Sequence, residues 1–213
     1  MEQNRVWLGE RLLEQAVKAL KKHEFNAVWF ATADQAKAFI LESIPLEASV
    51  GIGGSITVRQ LGLIEVLEER GNRVHQHWGP GKTRQEDLAI RKAQLSSDVF
   101  IASSNAVTLE GELVNADGAG NRVGAMVFGP PKVFVVAGVN KLVKDIAEGM
   151  RRIKEVAAPM NTHRLSSKTP CAVTGLCNEC DAPARHCRVT VIMERKPSLT
   201  DLTVVLVNQE LGF

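Results

Sequence analysis

Short apolar runs alternate with stretches of helical period throughout the first half of this chain, and that alternation restricts its fold more than any other feature. Over residues 3–22, Val6, Leu8, Leu12, Leu13, Ala16, Val17 and Leu20 recur near the helical period. Asn26–Ala31 (NAVWFA) reads as a strand, and Thr32 to Asp34 offers a cap for a helix over 34–41. Val50–Gly54 reads as a strand running into a glycine turn, followed by a helix over 57–70. A strand over 73–77, a helix over 84–95 and a buried-type strand over 98–103 continue the series. Such a rhythm predicts parallel strands in one sheet with helices on both faces. After Ser104 the pattern changes. A hairpin is expected over 107–115, a glycine-rich turn over 116–121, and strands over 125–128 and 132–137. A long helix over 140–157 and strands over 188–193 and 202–207 complete the prediction. Residues 1–158 are therefore assigned to an α/β domain, 159–188 to a Cys-rich metal-binding loop, and 189–213 to strands returning to the main domain.

All four cysteines fall in that loop, PCAVTGLCNECDAPARHC, at Cys171, Cys177, Cys180 and Cys187. Their spacing, C-x5-C-x2-C-x6-C, gathers enough thiolates for a tetrahedral S4 site holding either Zn2+ or an iron–sulfur cluster. The Cys177–Cys180 pair supplies two ligands from one tight turn, and Cys171 and Cys187 close the site from either side. A disulfide framework is the competing reading, but a chain of 213 residues has core enough to fold without staples. His163 and His186 lie close enough in sequence to replace a thiolate.

The N-terminal stretch has mixed charge and no signal-peptide core, and no apolar run approaches the ~20 residues of a membrane span. A cytoplasmic protein with reduced thiols is expected. The net charge is only +2, yet residues 151–196 carry nine Lys/Arg against four acids, a surround suited to a negatively charged cluster or an anionic ligand. With no tyrosine in the chain there is little aromatic interleaving for base stacking, so nucleic acid is not an expected partner. The sequence leaves homo-oligomerisation open.

Two further stretches suggest a site. Gly51, Gly53, Gly54, Ser55 and Thr57 lie between a strand and a helix, where backbone approaches a ligand closely and Ser or Thr either caps the helix or binds an oxyanion. The other stretch, Ser103 to Gly124, contains two candidate acid/base carboxylates, Glu110 and Asp117, together with Asn121 and the anion-pairing candidate Arg122. Lys141, just past another strand, is a third place to neutralise an anion. His75 and His77 alternate along a strand beside Trp78.

Together, VGIGGSITVRQLG, TLEGELVNADGAGNRVGAM, GPPKVFVVAGVNKLV and the cysteine tail resemble the LUD-domain family, over about residues 5–195. That resemblance implies a Rossmann-like sheet similar to the ribose-5-phosphate isomerase, glucosamine-6-phosphate isomerase and CoA-transferase superfamily, with residues 51–57 as the ligand loop. Asp117 and Asn121 also match a loop of the initiation-factor-2B-type sugar-phosphate isomerases, with Arg122 where those have lysine. The catalytic acid of those enzymes falls nearest Asn105 here, an amide. The family name implies a part in lactate utilisation within an iron–sulfur system. The expected function is binding of a small organic anion and a [4Fe-4S] cluster, with a redox protein as partner. The alternative is a non-redox isomerase or acyl/CoA-type transferase with structural Zn2+ in the tail.

Overall fold

The computed structural model describes all residues from Met1 to Phe213. Helix α1 (Glu2–Lys22) buries Leu13, Ala16 and Leu20 of the stripe its period predicts, leaves Val6 and Leu8 at its start exposed, and leads into β1 (Asn26–Phe30). A capping box, with Thr32 and Gln35 each bonding the other's backbone, starts α2 (Ala33–Glu42), and β2 (Ser49–Ile52) follows. The single helix expected over 57–70 is instead two. Gly62 takes a left-handed φ of 59° between α3 (Ile56–Gln60) and α4 (Leu63–Glu69). Strand β3 (Arg73–His75) stops short of His77, and a second capping box at Thr83 and Glu86 starts α5 (Arg84–Leu95).

Strand β4 (Val99–Ser103) is buried along its whole length, and β5 (Ala106–Thr108) and β6 (Leu113–Asp117) form the expected hairpin. The strand expected over 125–128 is a helix, α6 (Asn121–Val127). Its short apolar run has no period of its own to separate the two states. The Asp117 carboxylate decides the outcome by accepting from the N–H groups of Arg122 and Val123 and opening a helix there.

Strand β7 (Lys132–Gly138) leads into a 3-10 turn at Val139–Lys141 and then β8 (Leu142–Val143). The long helix expected over 140–157 therefore begins late. Asp145 caps α7 (Ile146–Arg152), a π-helical turn occupies Ile153–Ala157, and α8 (Ala158–Arg164) continues the run. Pro159 has no N–H to offer the Glu155 carbonyl, so the backbone widens where an α-helical bond is missing. Because this run is unbroken across residue 158, no linker separates the cysteine segment. That segment holds the short α9 (Pro170–Thr174), then β9 (Val189–Met193) and β10 (Asp201–Val207).

The main sheet has six strands in the order β1-β10-β7-β4-β2-β3, every pair parallel. The fold is thus α/β and Rossmann-like. A second sheet, β8-β5-β6-β9, packs beside it. Of the two closing strands only β10 joins the main sheet; β9 pairs antiparallel with β6. One core, beneath α1 and α6, includes Phe100, Met126, Val133 and Leu113 of the second sheet. The other lies under α2, α3 and α4 around Ile52, Ile101 and Phe134. Each fully buried side chain of this kind stabilises the fold by roughly 1.5–3 kcal/mol. Ile153 and Val143 join Ala106 and Val114 in a smaller third cluster, which fixes the π turn against the second sheet.

The hairpin between β5 and β6 is seated on α1. Gly111, at a φ of 102°, would place a Cβ 2.7 Å from the backbone carbonyl of Ala19. Gly111→Ala is therefore expected to lower the unfolding free energy by about 2–4 kcal/mol in urea titration. A loss below about 1 kcal/mol would show that the hairpin shifts off α1 at little cost.

Candidate functional site

Parallel strands bring their carboxyl ends to one edge of the sheet, where open α/β folds bind ligands. Beyond β2 lie Gly54 to Thr57, at the end of β4 Ser103 to Asn105, beyond β7 Lys141, and beyond β10 Phe213. These border a cavity of about 130 Å³, closed by Ala116 to Gly118 from β6, by Arg122, by the π turn and by His186 and Cys187 of the cysteine segment.

Lys141 is the central group. It is 4% exposed, and its Nζ donates to Thr57 Oγ1 and Ser103 Oγ, both at 2.8 Å. Each hydroxyl donates its own hydrogen bond to a backbone carbonyl, Thr57 to Leu211 and Ser103 to Ser104. No carboxylate balances the ammonium. Burial, and then the nearby charges of Arg152 and Arg122, bring its pKa down from 10.5 to about 7. A lysine that sequence alone reads as solvated is thus a buried amine that titrates near neutrality.

Arg122 lines the same cavity but has no donor to spare. Nε and Nη2 reach Asp117 Oδ1 at 2.9 and 2.7 Å. Nη1 donates to the Ser103 carbonyl and to Asn115 Oδ1, both at 2.6 Å, and Nη2 also donates to Asn105 Oδ1 and the Ala116 carbonyl. With its five N–H groups in use, this guanidinium ties β4, β6 and α6 together and lends the cavity charge without a bond. Asp117 is equally committed, to Arg122 and to two amides. Arg152 donates to the carbonyls of Asn140 and Asn105 and has no acidic partner.

The remaining candidates separate clearly. Ser55 caps α3 through Val58 N, and Thr57 holds Lys141. Gly51 and Gly53 serve close packing, since a Cβ at Gly51 would lie 2.9 Å from Ser97 Oγ and one at Gly53 would lie 3.2 Å from Ala102 and Phe100. Gly54 reaches the cavity and has His77 Nε2 against its other side. Asn121 turns away, accepting from Arg91 Nη1 at 2.8 Å. Glu110 is exposed at the hairpin tip seated on α1 and does not line the cavity. The two carboxylates expected to act as acid and base are therefore not brought together: one faces solvent, and the other is locked in an ion pair.

All four cysteines are free and line a second, smaller cavity of about 30 Å³. Arg185 shapes the segment by donating to the carbonyls of Cys180 and Cys187. The segment docks on β6 through Arg188 N, which donates to the Asp117 carbonyl at 2.9 Å. Burial pushes the Cys187 thiol up; the neighbouring thiols of Cys177, Cys171 and Cys180 add to this, and Arg185 opposes it. No group of three or more His, Cys, Asp or Glu side chains is arranged to hold a single metal ion. Ala158, His186 and Cys187 line both cavities and form the wall between them. Sequence reasoning did not anticipate this shared wall, Ser103 as a lysine partner, or Arg152. Pro159 in an otherwise helical run was the one local signal of an irregular turn.

Fold and cavity together define a Rossmann-like α/β domain with a cationic site at the carboxyl edge of its sheet. The sequence profile of the LUD domain matches residues 13–207, and the chain belongs to that family. In structure it is similar to a DUF162 family protein from Deinococcus radiodurans, whose crystal structure was determined at 1.70 Å resolution. The similarity has a TM-score of 0.55 at 13% identity and covers 94% of this chain and 98% of that one. No curated protein matches the chain. No helix is long and apolar enough to cross a membrane.

Proposed function

We propose that this LUD-family chain binds a small organic anion in the cavity around Lys141 and an iron–sulfur cluster of the [4Fe-4S] type on Cys171, Cys177, Cys180 and Cys187. Its role is redox work in the utilisation of lactate or a related organic acid, with a redox protein as partner. The observation that carries the reading is the shared wall: Cys187 and His186 border the cationic cavity and the thiol cavity alike. Family membership supports a role related to lactate utilisation. What supports the cluster is the chemistry of the donors, four free thiols around one cavity with Arg185 beside them to offset negative charge, Lys154 being paired with Glu179. When bound, such a cluster supplies one-electron chemistry. The alternative isomerase or transferase reading loses support because neither Glu110 nor Asp117 is a free carboxylate in the cavity.

Anaerobically purified protein is expected to absorb broadly near ~400 nm, to bleach on reduction with dithionite, and to hold about four irons per chain. One zinc in a colourless protein would overturn the redox reading and leave the tail a structural clip. Because the wall is shared, Cys187→Ala is expected to weaken oxalate binding by about 5–150-fold in calorimetry while removing iron. Unchanged oxalate affinity in the iron-free variant would show that the two cavities work independently.

A further inference from the structure

We infer that Lys141 is a nucleophile that condenses with the carbonyl carbon of a 2-oxo acid to form an imine; this rests on the anion-binding reading of the same cavity and gives its ligand class. The geometry carries the inference. Thr57 and Ser103 both direct their own protons to backbone carbonyls, so each can only accept from Nζ. A neutral amine has two N–H groups, and these two acceptors use both. Its lone pair is then left for the cavity that Lys141 lines.

The surroundings keep that lone pair available. The charges acting on Lys141 are Arg152 on α7 and Arg122 on α6, both cationic; the other titratable side chains lining the cavity are His186, Cys187 and Asp117, and Asp117 is spent on Arg122. Burial and two positive neighbours activate a lysine as a nucleophile, because they favour its free amine at neutral pH. The same positive charge attracts the carboxylate of the 2-oxo acid and brings the adjacent carbonyl to Nζ.

The step balances as follows. The nitrogen lone pair bonds to the carbonyl carbon, and the C–O π pair moves to oxygen, which takes a proton and gives a carbinolamine. Nitrogen then re-forms a double bond to carbon and expels the oxygen as water. That water contains the carbonyl oxygen and the two hydrogens lost by the amine, so no oxidant or reductant is needed.

The test treats the whole protein with pyruvate and sodium borohydride, which reduces an imine to a stable secondary amine, and reads intact mass followed by peptide mapping. One trapped pyruvate per chain on Lys141 is expected, with none in Lys141→Met. Trapping spread over other lysines, or absent from the wild type, overturns the inference. Should the variant fail to fold, the rate of wild-type trapping against pH decides: a rise to half its maximum near 7 is expected, and a midpoint near the ordinary lysine value of about 10.4 overturns it. Lactate, which has the carboxylate but no carbonyl, separates the two claims. Lactate binding without pyruvate trapping sinks the imine alone; absence of both sinks the anion site with it.

Discussion

Asp117→Asn is expected to destabilise the protein by about 3–5 kcal/mol, because it leaves the Arg122 guanidinium buried without its counter-charge. Both residues are 9% exposed, so water cannot repair the loss. An amide at this position also turns one N–H face toward donors, where the carboxylate accepted from Arg122 Nε and from the amides of Arg122 and Val123. The damage reaches further than one pair, since that guanidinium joins β4, β6 and α6. Two-state urea unfolding measures it. A loss under about 1 kcal/mol would mean that the carbonyl and amide acceptors around Arg122 hold it in place without the carboxylate.

The second large effect is on binding. Lys141→Met is expected to reduce affinity for oxalate or lactate by about 100-fold or more at pH 6.5, the loss of a charge-assisted contact in a desolvated site. In the wild type that affinity falls as pH rises through 7, because the ammonium that attracts the anion becomes a neutral amine. Near neutrality both forms are present: one draws in the carboxylate, and the other is free to attack a carbonyl. The sign for stability follows from linkage. The folded pKa lies below the unfolded value, so between about 7 and 10.5 the unfolded chain keeps a proton that the folded one has released. The contribution of Lys141 to stability therefore rises with pH across that window and is least favourable below it. Methionine flattens this slope. Equal oxalate affinity in wild type and variant, or a wild-type affinity indifferent to pH between 6 and 9, would remove Lys141 from the site.

Much of the fold was legible because the main sheet is built from apolar runs short enough to be strands, bounded by turn residues. The cysteine segment was legible from composition alone. What escaped depended on partners distant in sequence. The apolar run at 125–128 is neutral between helix and strand until Asp117 caps it. Lys141 is indistinguishable from a surface lysine until Thr57, 84 positions earlier, is folded against it. Glu110 and Asp117 look alike in sequence and differ entirely in place: one at a hairpin tip against α1, the other under the guanidinium of Arg122. Spacing conveys which residues share an element, and it is silent about which elements converge on one edge of a sheet.

The position of β10 has a bearing on synthesis. This strand lies between β1 and β7, with Thr203 beside Asn26. A nascent chain emerging from the ribosome cannot join β1 to the rest of the sheet until residue 207 has left the exit tunnel. Until then, α1 and β1 wait beside an open edge of β7, so the middle of the sheet is the last part of it to be laid down.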